Sequence, residues 1–451
     1  MKIFFTFLVA ILLAAGCVPP VVFRSLTPAP DPAATIQSGP MLGYVDMMEA
    51  MIWVQTTGPA VVSVQYWEQD KTARFETAQM LTEQKNGYTA HLVANQVEPG
   101  KTYDYAVYVN NRLVERPYPT TFKTQPLWRW RTDPPAFSLV TGSCAYINEP
   151  EYDRPGTPYG SEYQVFTSIH QQKPDLMLWL GDNIYYREPD WATRTGMLHR
   201  NTHGRSLPEL QPLLASTSHY AIWDDHDFGP NDADGTWVHK EMAWEVFQDF
   251  WGNPTYGVNG QKGCTSWFQY ADVDFFLLDD RYFRSPNDCE SCPRTMLGAA
   301  QIAWFKGALA QSTAPFKIVA VGGQFMSSSE NGESFTHLFR AERDSILAFI
   351  ERENIKGVVF LTGDKHFTEL SALKNARGNM VYDLTASPFT SGVFTDAATK
   401  EINTFRVEGT VVAKHNFAML RFSGPRKERQ LQITDYDADG KEMWTKTIKA
   451  N

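Results

Sequence analysis

Between residues 137 and 366 the chain repeats one construction six times: a short apolar run closing in a tight polar step. Phe137-Ser-Leu-Val leads to Thr141-Gly-Ser-Cys144, Leu176-Met-Leu-Trp-Leu to Gly181-Asp182-Asn-Ile-Tyr185, and Tyr220-Ala-Ile-Trp to Asp224-Asp225-His226-Asp227. Phe275-Phe-Leu-Leu leads to Asp279-Asp280-Arg281, Lys317-Ile-Val-Ala-Val to Gly322-Gly-Gln324, and Val358-Val-Phe-Leu to Thr362-Gly-Asp364-Lys365-His366. Unbroken apolar runs of this length suit strands buried on both faces. Helical patterns at 161–172, 299–310 and 341–353 interleave with them. The alternation predicts a layered α/β domain from about residue 133 to the C-terminus. Ligands in such sheets gather beyond the carboxyl ends of the strands. One aspartate after a strand more often caps a turn or helix. Six consecutive strand ends bearing Cys, Asp, His, Arg and Gln point to one converging site.

The residue types narrow the chemistry. Clustered carboxylates repel one another and are forced to take up protons unless a cation neutralises them. Carboxylate, amide and imidazole ligands suit Ca, Mn, Fe or Zn. Two such ions close together can activate water and stabilise both the attacking and the leaving oxygen of a phosphoryl transfer. No G-x-S-x-G elbow and no P-loop occurs, so acyl transfer and nucleoside-triphosphate binding lack support.

The first residues predict export. Lys2 precedes an apolar run, Ile3 to Ala15, too short to span a bilayer and suited to a signal peptide over 1–16. It ends Leu13-Ala14-Ala15-Gly16-Cys17, which resembles a bacterial lipoprotein box. Cys17 is then the lipidated first residue of a periplasmic or cell-surface lipoprotein, with the lipid as its link to the membrane. An ordinary secretory signal with an incidental cysteine is the alternative. Residues 17–38, rich in Pro, Ala, Ser and Thr, read as anchor and linker. Residues 39–126 carry short β-rich segments and no visible chemistry. They predict an all-β sandwich of fibronectin or immunoglobulin type, with Tyr103 as its corner tyrosine and Trp53 in its core. Among Cys264, Cys289 and Cys292, one disulfide and one leftover thiol are expected in an oxidising compartment. A zinc site there would need a fourth ligand that the neighbouring sequence lacks. The net charge of −10 argues against a broad surface for nucleic acid or anionic membrane. A monomer is expected.

The motifs together resemble the PhoD-like alkaline phosphatases and phosphodiesterases of the metallophosphatase superfamily. The resemblance rests on Gly-Ser-Cys144, Gly-Asp182-x-x-Tyr185, Trp223-Asp-Asp-His-Asp with Asn231, Leu278-Asp-Asp-Arg281 and Gly-Asp364-x-His366. It implies a four-layer αββα catalytic sandwich behind an N-terminal β-sandwich. It implies hydrolysis of phosphate mono- or diesters by in-line attack of a metal-activated water. By the same resemblance Cys144, Asp182 and Tyr185 hold Fe3+, with Zn or Mn as substitutes. Asp182 bridges to Ca2+, whose other ligands are Asp225, Asn231, Asp364 and His366. His226 acts at the leaving group or orients the aspartates, and Arg281 grips phosphate oxygens or pairs with Asp279 or Asp280. The chain departs from the family pattern at Asn183, Asp227 and Lys365, the last expected at the pocket rim. Arg187 and the His- and Arg-rich stretch 190–214 read either as a basic entrance suited to an anionic substrate or as a solvated loop. Two other readings stay open: a surface-binding lipoprotein with structural metals, and a phosphotriesterase-like hydrolase.

Overall fold

The computed structural model describes residues 29–450; Cys17 and the 1–16 segment lie outside the described residues. The six apolar runs all form strands, and they divide three and three between two sheets. Phe137–Gly142, Leu176–Leu180 and Ser218–Ile222 lie parallel at the centre of a nine-stranded sheet. Val273–Leu277, Phe316–Ala320 and Val358–Thr362 lie parallel in a six-stranded sheet. Parallel strands need long crossovers, and these are supplied by helices such as Gln164–Gln171, Ala299–Gln311 and Arg340–Arg352.

The sheets face each other across one apolar core. Leu139, Leu178 and Ile222 of the first meet Phe275, Ile318, Val359 and Leu361 of the second. Tyr220 stacks on Phe268 across this layer at 3.9 Å between ring centroids. The outer face of the second sheet is covered by Phe305 and Leu309 of one helix and Ile346 and Ile350 of another. Phe166, Ile169, Leu213, Val246 and Phe250 bring helices onto the first sheet. The result is the predicted four-layer αββα arrangement.

The N-terminal all-β region is present, but it is not a separate body. Its strands Ile36–Val45, Ala50–Thr56 and Thr89–Ala94 extend the nine-stranded sheet through a parallel bridge between Leu42 and Ser218. Strands Val61–Glu68 and Thr102–Val109 close the sandwich over them around Leu42, Ile52, Val54, Val64 and Val107. The Tyr103 hydroxyl accepts the Glu98 N–H at 2.8 Å, as a corner tyrosine should. Trp53 corrects the expectation made for it. Side chains alternate along a strand, so with Ile52 and Val54 facing the sandwich, Trp53 points the other way. Its ring packs on Phe250, and its Nε1 donates to the Asp249 carbonyl at 2.8 Å.

The disulfide forms between Cys289 and Cys292, leaving Cys264 as a buried free thiol. No helix among the described residues is long and apolar enough to cross a membrane.

Candidate metal centre

The candidate side chains of the sequence motifs sit where buried strands stop. Cys144, Asp182, Asp364 and His366 all have left-handed backbones, with φ between 50° and 66°. Non-glycine residues adopt that conformation at a cost, and it is concentrated at functional sites. The neighbouring glycines let the strand ends close up. A β-carbon at Gly181 (φ 92°) would lie 2.6 Å from the Asp224 Cβ, and one at Gly322 would lie 2.6 Å from the Asp224 carboxyl carbon.

Cys144, Asp182 and His366 offer ligand atoms that all lie within 4.8 Å of one another. The Tyr185 hydroxyl is 3.0 Å from Asp182 Oδ2 and 3.4 Å from His366 Nε2. Cys144 Sγ is 3.5 Å from the same Asp182 oxygen. All four residues are buried. His366 thus lies beside the thiol and the phenol, whereas the resemblance implies a place in the opposite group. Burial pushes the Cys144 thiol up to about 11. Burial first, then the nearby carboxylates and thiol, drives the Asp182 carboxyl and the Tyr185 phenol well above their ordinary ranges. A thiol, a phenol and a carboxyl forced together without a cation hold their protons. A strongly Lewis-acidic ion is the partner that lets all three ionise, so the donor set fits such an ion.

Asp182 is also the hinge to a second group. With Asp225 and His226 it makes a further set of ligand atoms within 4.8 Å, and Asp225, Asp232 and Glu333 make a third. Burial works to raise Asp225, yet His226 and Arg281 hold its carboxyl below the usual carboxylate range. Asp364 faces the same space: burial, then Glu333, raises its carboxyl. Asn231 lies on the exposed turn beside Asp225, whose Oδ2 accepts the N–H of Asp232 at 2.8 Å. His226 is partly exposed, with its ring 4.2 Å from that of Tyr185 and Nε2 3.8 Å from Asp225 Oδ2.

Arg281 departs from both of its expected roles. It is fully buried and lies between Asp224, at 2.5 Å, and Glu333, at 2.8 Å. Two carboxylates thus occupy a fork that was expected to reach phosphate. Asp279 and Asp280 do not compete, because Asp279 accepts the N–H groups of Cys264, Arg281 and Tyr282, and Asp280 that of Gly323. Glu333 and Asp232 are the acids the motifs missed. Neither follows an apolar run; Glu333 sits in a loop and is also held by Arg284, at 2.5 Å.

The departures from the family pattern have structural reasons. Asp227 accepts the N–H of Asn183 at 3.0 Å and of Asp224 at 3.1 Å, and Asn183 donates to the Ile222 carbonyl at 2.8 Å. The two residues stitch adjacent motif loops together. Lys365 is not at the rim; it is 6% exposed and paired with Glu401 at 2.9 Å. Stretch 190–214 is largely helical, and Arg187 beside it is neutralised by Glu149, Asp153 and Asp190. The entrance is therefore not a basic loop. Gln324 turns away to Glu369 and Thr385.

Comparison with known proteins places the chain in a family and a fold. A model of the PhoD-like phosphatase family matches residues 139–428, and one for a domain of unknown function (DUF7800) matches residues 33–127. Alkaline phosphatase D of Bacillus subtilis (strain 168) is 24% identical over 336 residues, 63% of this chain and 54% of that protein. The chain thus spans about half the length of that curated relative. Among solved structures, that of PhoD superposes with a TM-score of 0.74 at 18% identity, covering 94% of each chain. A purple acid phosphatase from yellow lupin (Lupinus luteus) seeds gives 0.64 at 12% identity, covering 91% of this chain and 74% of its own.

Proposed function

The chain belongs to the PhoD-like phosphatase family, and from that premise we propose that it hydrolyses phosphate mono- and diesters at a centre of two or more metal ions. The observation that carries the proposal is the meeting of Cys144, Asp182, Tyr185 and His366 on one side and Asp225, Asp232 and Glu333 on the other, with Asp182 reaching both. Thiol and phenol favour Fe3+ in the first group, and Zn or Mn could replace it. The all-oxygen second group, with Asn231 and Asp364 beside it, favours Ca2+. When bound, such ions supply the positive charge that a phosphoryl-transfer transition state needs and the acidity that ionises a water.

The chain's own residues do the rest. His226 is the polar side chain best placed to meet a departing oxygen, because it is part-exposed beside Asp225. Burial lowers its proton affinity first, so it acts through a neutral N–H that hydrogen-bonds to the phosphoryl or leaving oxygen. Arg281 works at one remove: by fixing Asp224 and Glu333 it holds the carboxylate side in place. Export and lipidation at Cys17 form part of the same reading, supported by the apolar run Ile3 to Ala15 before it.

Elemental analysis of the purified full chain should find iron and calcium, with an absorption band from tyrosinate bound to iron. The protein should hydrolyse p-nitrophenyl phosphate or its bis ester. Full activity in a preparation free of metal would overturn the proposal.

A further inference from the structure

The whole chain is acidic, yet one face of the fold is not. The segment joining the sandwich to the catalytic domain reads Leu127-Trp128-Arg129-Trp130-Arg131. Trp130 is 84% exposed and Leu127 50%. Trp130 also holds a left-handed backbone, φ 62°, which a bulky side chain seldom adopts. Two unfavourable features therefore coincide at one residue: an indole in water and a strained backbone presenting it. A strained backbone that presents an indole to water is the kind of outlier from which a functional hypothesis can start.

Cations outnumber acids around the indole: Arg129, Arg131, Arg426 and Lys427 stand against Asp133 and Glu428. The Arg129 guanidinium lies 5.8 Å from the ring centroids of both Trp128 and Trp130. Arg426, from the turn that packs against this segment, sits 5.6 Å over Trp128 and donates to the Thr132 carbonyl. Arg131 and Lys427 are exposed beside them. Lys123 and Lys173, together with Asp175, line a cleft of about 360 Å³ that includes Tyr270. Asp133 accepts the Arg426 backbone N–H at 3.1 Å and keeps its own charge. A tryptophan framed by arginines is the composition that settles at a bilayer interface, the indole at headgroup depth and the cations toward anionic headgroups.

We propose that this Trp130-centred face docks on an anionic lipid bilayer. The topology then fixes the orientation. The strand Phe137–Gly142 starts six residues after Arg131 and ends two residues before Cys144. Six residues at ~3.3 Å each put the metal centre about 20 Å farther along the strand direction. The docked enzyme opens its site away from the membrane it rests on. The proposal stands apart from the catalytic reading, since no residue of the metal centre takes part.

The test uses the full chain on two vesicle compositions, phosphatidylcholine alone and phosphatidylcholine with phosphatidylglycerol. A lipid anchor at Cys17 would hold the protein to both, so the readout is local: amide exchange across residues 126–133 and quenching of tryptophan by brominated lipid. On the anionic vesicles, exchange over this segment should slow at least fivefold and quenching should appear. Trp130→Ser should remove the quenching. Arg129→Ser with Arg131→Ser should shift docking to a higher anionic fraction, by about fivefold in partitioning per cation removed. Both variants should keep wild-type phosphatase activity. Equal exchange on the two compositions would overturn the proposal. So would equal protection by soluble polyphosphate, which marks a generic polyanion site and not a bilayer one.

Discussion

The two sides of the centre solve the same electrostatic problem differently. Around Cys144, Asp182 and Tyr185, no lysine or arginine side chain hydrogen-bonds to a ligand atom among the described residues, and burial keeps their protons on. Around Asp224, Asp225 and Glu333, Arg281 and Arg284 stand within the layer, and Asp225 and Glu333 are held below their ordinary ranges despite burial, while burial still raises Asp224 and Asp364. The first side depends wholly on a cation that must arrive; the second carries part of its own, enough to ionise Asp225 and Glu333. The same acidic composition can therefore encode a site that needs metal for ionisation and a scaffold that does not.

The sharpest way to break this contrast is to remove the shared carboxylate. Asp182→Ala should lower kcat/KM by about 10³-fold or more, equivalent to ~4 kcal/mol. Its cooperative unfolding should persist, because a buried carboxyl with no protein cation beside it adds little to the metal-free fold. Metal content and a thermal melt check the two halves of that statement. A variant that fails to fold would show Asp182 to be structural. Arg281→Met should do the reverse. Removing one partner of a buried ion pair leaves an uncompensated charge and costs about 3–5 kcal/mol, readable by urea denaturation. Adding Asp224→Asn should recover part of the loss, since the two residues couple directly.

A subtler substitution sharpens the metal-dependent side alone. The Ser387 hydroxyl is 3.2 Å from Cys144 Sγ and accepts the His366 N–H at 3.1 Å. Ser387→Ala should weaken metal retention by about 10–100-fold, the usual effect of losing a group that orients ligands. Titration with a competing chelator measures it, and a shifted thiolate-to-metal absorption should accompany the change. Unchanged retention would mean that the thiol is oriented by the backbone.

The sequence made some of this legible for a physical reason. Strands buried on both faces must be apolar throughout, so Leu176–Leu180 and Val358–Thr362 stand out without knowledge of their neighbours. The polar steps that end them follow at once in the chain, which is why Cys144, Asp182, Asp225 and His366 could be named. What needed three dimensions was partnership. Glu333 follows no strand, and its meaning comes from Arg281 and Arg284, 52 and 49 residues before it. The assignment of His366 to the thiol side depends on a left-handed turn at φ 55° that no residue type announces. Within the sheet, the sandwich joins the catalytic strands through one backbone bridge, Leu42 to Ser218, and one bridge leaves no periodic trace.

The smallest expected effect lies at the rim, where the two strategies meet solvent. Asp232 is exposed, and its carboxyl completes the group with Asp225 and Glu333. Burial first, then Glu333, raises that carboxyl to about 6. Its backbone N–H, not its side chain, supports Asp225. Asp232→Asn keeps that N–H and the side-chain volume, so stability should stay within about 0.5 kcal/mol of wild type. If Asp232 serves the cation on this side, calcium should bind several-fold more weakly while the iron band is unmoved. Calorimetric titration of calcium into the variant separates these outcomes. A loss of iron together with calcium would join the two sides into one unit and remove the distinction drawn between them.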